Sequence, residues 1–407
     1  MTDERLALKP ERMDPLLIEK YRLETPGIPG RIHFNNAGAA LPPLPVIDVL
    51  QSFLGEEALL GGYEIAAKYR ELIMGVYGAL ARLLHTESRN IALANNATDA
   101  YNRALSAVPF QAGDVILTTA NDYVSNIIAF LQLKKQKGIK VVVAPNGPNG
   151  AVDVEEMQQL LKKYHPRLVA VTHIPTSSGL IQDVYAIGGL LKDMDALYLV
   201  DACQSAGQLD LDVGKMNCDF LSATGRKFLR GPRGTGFLYA SGRVLEMDLE
   251  PIFLDLHAAD WLSHDQYQMK EDARRFELWE RNYALVLGLK TAVEYALDIG
   301  LPVIEQRVQV LSAYLREGLA TIPGIQLMEA GSPLSGIVTI KVDGAWSAED
   351  FHQFLMEHHI NTSLIFKEGA RYDLPLKNAD WVSRISVHYY NTKTEIETLY
   401  KVLRTRL

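Results

Sequence analysis

An α/β fold, with a mostly parallel sheet flanked by helices and a smaller C-terminal α+β domain, is predicted by three features of this 407-residue chain. Continuous apolar runs at 115–118, 141–143, 168–172 and 197–200 alternate with helical stretches at 125–136, 153–164 and 186–193. Strands that are apolar on both faces and separated by helices suit a parallel sheet covered on both sides. Towards the C-terminus the texture changes to strands at 336–342 and 384–387 flanked by helices at 347–358 and 393–405. Hydrophobic residues make up 48% and charged residues 22%, which is ordinary globular usage and sets aside disordered and fibrous classes. The length allows two to three domains with a large core.

In chain order, residues 1–45 read as an N-terminal arm that includes the turn-rich patch Thr25-Pro26-Gly27-Ile28-Pro29-Gly30. Helical periodicity dominates 44–85. The expected large domain covers 46–290; after the four runs above it adds strands at 220–223 and 236–240 and a long helix at 281–297. Residues 291–407 form the expected small domain.

Several function classes are excluded at this level. Lys and Arg number 41 against 49 Asp and Glu, so the net charge is −8 and no basic excess points to nucleic acid. Cys203 and Cys218 are the only cysteines, too few for a disulfide framework or a Cys-rich zinc site. His358, His359 and His388 lack ligand spacing, so no metal is expected. Met1-Thr2-Asp3-Glu4-Arg5 leads into no apolar segment, and no run of 18 apolar residues is present. The expectation is a cytoplasmic protein without a membrane span.

In open parallel sheets, ligands bind beyond the carboxyl ends of the strands. The polar residues there are Thr98, Asp99, Tyr123, Thr176, Asp201, Gln204 and the run Thr224-Gly225-Arg226-Lys227. Asp201 ends the apolar run 197–200. Taken alone it reads as a helix cap, yet a carboxylate at a buried strand end needs a cationic partner. Lys227 lies among Arg226, Arg230 and Arg233, and neighbouring cations make an amine more nucleophilic. Taken alone it reads as part of a solvated basic loop. Together, an acid and an activated lysine at two strand ends are what pyridoxal 5′-phosphate needs: a covalent lysine anchor and a carboxylate that keeps the pyridine nitrogen protonated.

The segment from Val200-Asp201-Ala202-Cys203-Gln204-Ser205-Ala206-Gly207 through Thr224-Gly225-Arg226-Lys227 to Gly231-Pro232-Arg233-Gly234-Thr235-Gly236 resembles fold-type-I pyridoxal-phosphate enzymes of the class V aminotransferase and cysteine desulfurase superfamily. The likeness spans Phe34 to Leu403. It implies the PLP-transferase fold and the following roles. Lys227 matches the cofactor-bearing lysine, Asp201 the partner of the ring nitrogen, and Gln204 the partner of the ring hydroxyl. Thr224, Arg226, Ala97 and Thr98 match phosphate-binding positions, with the last two at a helix start that favours anions. Tyr123 matches the aromatic group stacked on the ring, and Thr176 stands where desulfurases carry Asn. Arg384 matches the arginine that holds the substrate α-carboxylate, a task suited to a bidentate guanidinium.

The departures point to a subclass. Desulfurases carry a mobile nucleophilic cysteine shortly before the C-terminal strand, and here Tyr372 occupies that position. Both actual cysteines read as buried small apolar side chains. Asn35-Asn36-Ala37-Gly38, Gly61-Gly62-Tyr63-Glu64, His173-Ile174-Pro175-Thr176 and Arg275-Phe276-Glu277 resemble the branch of isopenicillin-N-epimerase-like proteins and ergothioneine-pathway C–S lyases. Asn36 and Tyr372 join Arg384 as expected substrate contacts.

The resemblance also implies a homodimer in which 275–282 reaches the partner's cofactor phosphate. The leading expectation is β-elimination from a small, cysteine-derived amino acid, with Lys227 as base and Tyr123 or Tyr372 as acid. The alternative is an aminotransferase. Epimerisation, persulfide-forming desulfuration and a non-catalytic relative of the fold stand behind these.

Overall fold

The structure is a computed structural model that describes residues 13–329, 331–344 and 346–406. The first twelve residues of the expected arm lie outside the described residues.

The large sheet has seven strands: β1 (Ile91–Ala94), β2 (Val115–Thr119), β3 (Lys140–Ala144), β4 (Leu168–Thr172), β5 (Leu197–Asp201), β6 (Phe220–Thr224) and β7 (Gly236–Ala240). Their spatial order is β1-β7-β6-β5-β4-β2-β3, and β7 alone runs antiparallel to its neighbours. Every residue of β2, β4, β5, β6 and β7 is buried, which explains their unbroken apolar runs.

Ten helices frame the argument: α1 (Leu44–Leu60), α2 (Arg70–Leu83), α3 (Ala97–Ala107), α4 (Val124–Lys137), α5 (Val154–Tyr164), α6 (Val184–Leu191), α7 (Tyr283–Ile299), α8 (Leu301–Leu319), α9 (Ala348–Glu357) and α10 (Lys393–Leu403). Side-chain caps start α3 at Asn96, α5 at Asp153 and α6 at Asp183, each oxygen accepting a first-turn N–H. The six helices named from periodicity end within two residues of the observed bounds.

A second, antiparallel sheet contains β8 (Ile325–Leu327), β9 (Ile337–Val342), β10 (Ser363–Phe366) and β11 (Trp381–Ser386), in the order β8-β9-β11-β10. The boundary expected at 290 falls inside the uninterrupted helix α7, which packs on α1 and α2. The chain turns at Gly300, whose φ of +91° suits glycine.

Residues 36–60 have the length and mean hydropathy, 1.3, of a membrane-span candidate, contrary to the sequence expectation. The stretch comprises a short helix, Asn36–Ala39, and α1, with 40–43 between them. α1 carries Asp48, Glu56 and Glu57 and packs along α7.

The N-terminal segment is tied to the small sheet's side of the molecule. Ile32–His33 pairs in parallel with Ile360–Asn361, and Asn35 bridges to Ser386. Arg230 fastens this junction to the large domain. It is 1% exposed and has a left-handed φ of +61°. Its guanidinium donates to the Leu41 carbonyl (2.8 Å), the Thr25 hydroxyl (2.6 Å) and the Tyr389 hydroxyl. The rings of Tyr390, Tyr389 and Tyr295 lie 4.5, 5.2 and 5.9 Å from it, within cation–π range. No carboxylate pairs with it among the described residues.

Substituting Arg230→Met strands three buried acceptors and empties the aromatic cage. We expect a loss of about 3 kcal/mol in stability, read as a lower urea midpoint of unfolding. An unchanged midpoint would show that Arg230 does not fasten the junction.

Candidate active site

The carboxyl ends of β1, β2, β4, β5 and β6 open into a cleft of about 330 Å³. Thr98, Ala97, Tyr123, Thr176, Asp201, Gln204, Thr224, Arg226 and Lys227 all line it. Five strand ends scattered over 130 residues thus converge on one cavity.

Asp201 closes β5, in register with Thr172 on β4 and Ser222 on β6. Its carboxylate accepts from the Cys203 N–H (2.9 Å) and from Asn126 Nδ2 (3.2 Å). Both donors are neutral, and no cation pairs with this 5%-exposed carboxylate among the described residues. Lys227 follows β6 in a turn closed by Gly225 N–H to Thr235 O and Gly231 N–H to Gly225 O. Its amine is buried and makes no hydrogen bond among the described residues. Desolvation lowers its pKa, against the opposing pull of Cys203 and Asp201.

The start of α3 supplies Ala97 and Thr98 to the cleft, with unpaired first-turn N–H groups and the positive end of the helix dipole. Arg226 donates to the Gly38 carbonyl; burial, then Arg233, lowers its pKa. The Thr224 hydroxyl donates to Thr235 O (3.1 Å), so it must rotate to serve a phosphate.

Gln204 Nε2 donates to Ala37 O (3.1 Å) and Thr176 Oγ1 (3.2 Å), while its Oε1 is buried without a partner. A buried carboxylate lacking a cation, an amide oxygen lacking a donor, an anion-binding helix start and a desolvated lysine fit pyridoxal 5′-phosphate. Asp201 would hold the ring nitrogen, Gln204 the ring hydroxyl, α3 and Arg226 the phosphate, and Lys227 the aldehyde carbon.

Three expected substrate contacts are placed differently. Arg384 lies on β11, 4% exposed, directly behind Thr176. It donates to Thr176 Oγ1 (2.5 Å) and O (3.3 Å) and to Asn35 Oδ1 (3.3 Å), and its Nε has no partner. Burial, reinforced by Arg226, pushes its pKa down to about 10. Asn36 is not at the cleft. Its amide is spent on Ser386 O (2.7 Å), His33 O and Asn391, and its oxygen accepts from Tyr390, so it is a buried tie between the N-terminal segment and β11. Asn35, one residue earlier, is the neighbour of Arg384. Tyr372 is 40% exposed in the loop after β10 and is absent from the cleft lining.

Cys218 is buried as expected, but Cys203 is partly exposed and lines the cleft, a correction to its reading as a core residue. Burial holds its thiol well above the usual range. Sequence reasoning did not assign Asn95, Asn96, Thr172, Ile174, Arg233 and Gly234 to the cleft wall. The segment 275–282 lies outside this cleft. Glu277 anchors it, buried against the Tyr77 hydroxyl, the Leu93 N–H, His257 and Arg281. Trp279 stays 37% exposed.

The sequence profile described as "Aminotransferase class-V" matches residues 32–399. A probable cysteine desulfurase of Methanothermobacter thermautotrophicus is 28% identical over 95% of this chain and 97% of that protein. One from Pyrococcus abyssi is 28% identical, covering 95% of this chain and 96% of its own. The apo structure of a cysteine desulfurase from Thermococcus onnurineus superposes with a TM-score of 0.88 at 25% identity, covering 97% of this chain and 98% of that one. The complex between the cystine C–S lyase C-DES and cysteine persulfide superposes at 0.84 with 23% identity, covering 93% and 99%, and so shows likeness of fold. With its cleft fitted to the cofactor and its match to the profile almost end to end, the chain belongs to the class V aminotransferase family and is a pyridoxal 5′-phosphate-dependent enzyme.

Proposed function

We propose that the enzyme is a C–S lyase that eliminates the β-sulfur of a small cysteine-derived amino acid and releases a thiol, pyruvate and ammonia. The observation that carries this reading is the position of the two thiols. Cys218 is in the core, Cys203 is in the cleft wall beside Asp201, and residues 367–376, where a desulfurase carries its nucleophile, contain no cysteine. Without a mobile thiolate there is no carrier for a persulfide. The motifs shared with ergothioneine-pathway C–S lyases support the same branch, and C-DES is a precedent for cystine C–S lysis on this fold.

When bound, the cofactor supplies an electron sink conjugated to the substrate nitrogen. Lys227 would anchor it at rest and, when free, would serve as the base for the α-proton; burial favours the neutral amine this requires. Asp201 would keep the proton on the ring nitrogen. Arg226 and the start of α3 would hold the phosphate. Tyr123 would pack on the ring and offer its hydroxyl to the departing sulfur. Arg384 receives the α-carboxylate by exchanging Thr176 for the substrate, a charge-assisted pair that relieves the desolvated guanidinium. We place the enzyme in the cytoplasm as a homodimer, with 275–282 directed at the partner's cleft.

Borohydride reduction of the yellow holoenzyme is expected to fix the cofactor on a peptide containing Lys227; label on another lysine overturns the site. Arg384→Gln should lower kcat/KM about 100-fold, mainly through KM, because one charged carboxylate contact is lost. An unchanged KM means that the carboxylate binds elsewhere. The reaction type is read by mixing holoenzyme with cystine, S-substituted cysteines, their sulfoxides and common amino donors, without keto acid. Sustained release of pyruvate and ammonia is the expected outcome. A single stoichiometric turnover that resumes only when a keto acid is added would retire the lyase in favour of an aminotransferase.

A further inference from the structure

Behind the cleft, two carboxylates share one amide. Asp122 lies in the turn between β2 and α4. Its Oδ1 accepts from the Tyr123 N–H (2.7 Å), the Thr172 hydroxyl (2.7 Å) and Asn126 Nδ2 (2.9 Å). Its Oδ2 accepts from the Thr118 hydroxyl. The same Asn126 Nδ2 reaches Asp201 Oδ2 at 3.2 Å. Asp122 does not line the cleft, and it has no ion pair among the described residues.

Such an arrangement is costly. Desolvation pushes the Asp122 carboxyl up to about 6, Asp201 adds to the rise, and the donors from Thr118, Thr172 and Asn126 oppose it. An uncharged acceptor could hold the Tyr123 N–H without that cost. A second carboxylate does one thing more: it favours a positive group set against Asp201.

We propose that Asp122 is a positioning residue of the cofactor site, which fixes Tyr123 and Asn126 and places a second negative charge behind Asp201. The proton on the ring nitrogen is then held by two carboxylates joined through Asn126. The other titratable groups facing Asp122 are Asp201 from β5, Tyr123 from its own turn, and Tyr101 from α3. Tyr101 is buried, its hydroxyl has no partner, and both carboxylates act on it. Below about pH 6 Asp122 protonates and its share of the effect is lost.

The inference rests on Asp201 and Tyr123 lying at the cofactor ring. It is tested on holoprotein by the pH at which the visible band of the bound cofactor changes, together with the cofactor dissociation constant. Asp122→Asn keeps the shape and removes the charge. Losing a negative charge disfavours the protonated form, so the midpoint should fall by about half a pH unit. The dissociation constant should rise about tenfold. Asn126→Ala should give a similar shift, and the double variant little more than either alone, as coupled groups do. An unmoved midpoint in Asp122→Asn overturns the proposal, as do fully additive shifts. Should Asp122→Asn fail to fold, an unmoved midpoint in Asn126→Ala overturns it equally. Because borohydride labelling reports Lys227 independently, an unmoved midpoint with Lys227 labelled removes only the role of Asp122, while label elsewhere removes the site.

Discussion

A carboxylate at the end of a fully buried strand is the constraint around which this molecule is arranged. Asp201 is held between β4 and β6 with only neutral donors, which leaves an uncompensated charge in a place where water does little to solvate it. Among the described residues no cation of the protein pairs with it. Lys227 and Arg226 lie beyond the end of β6 and face the same cavity. The cofactor's protonated ring would resolve this by bringing a cation to Asp201, with Arg226 and the start of α3 placed to hold its phosphate. Binding the cofactor and relieving the buried charge would then be one event.

The N-terminal segment completes that site. Between residues 35 and 40 it gives Asn35 Oδ1 to Arg384, the Ala37 carbonyl to Gln204, the Gly38 carbonyl to Arg226 and the Ala40 N–H to the Arg226 carbonyl. A β-carbon at Gly38 would sit 2.4 Å from the Asn35 oxygen, so it would push that side chain away from its place beside Arg384. The same segment pairs with 360–361 and Ser386, and Arg230 binds it to Tyr389. Arg384, Gln204, Arg226 and the small sheet therefore share one junction.

Legibility in the sequence followed burial. β4, β5 and β6 are buried on both faces, so their composition announced them, and the polar residue closing each run announced the cleft. Asp201 and Lys227 drew attention only as a pair, since alone the one reads as a helix cap and the other as part of a solvated basic loop. Asn36 misled because two adjacent asparagines look alike, while the short helix turns one towards Arg384 and the other into the packing against Tyr390. Cys203 looked like core because it follows a core strand, yet it lies past the strand end. The boundary expected at 290 falls inside α7, which keeps its period without a break until Gly300. Asp122 stood in plain view beside Tyr123, but its meaning lies in hydrogen bonds to Thr118, Thr172 and Asn126 that spacing does not encode.

The charge balance of the cleft bears on the proposed double use of Lys227 as anchor and base. Arg384 is buried and Arg226 half-buried, and desolvation lowers the pKa of each, so each guanidinium gains by meeting an anion. In the proposed function the phosphate would meet the first and the substrate carboxylate the second. Their combined field bears on Lys227 and, with burial, favours its neutral amine. In the proposed elimination, arrival of the anions would weaken that field and make the amine a better proton acceptor when the α-proton must be taken. The cationic wall would thereby tie the basicity of Lys227 to substrate binding.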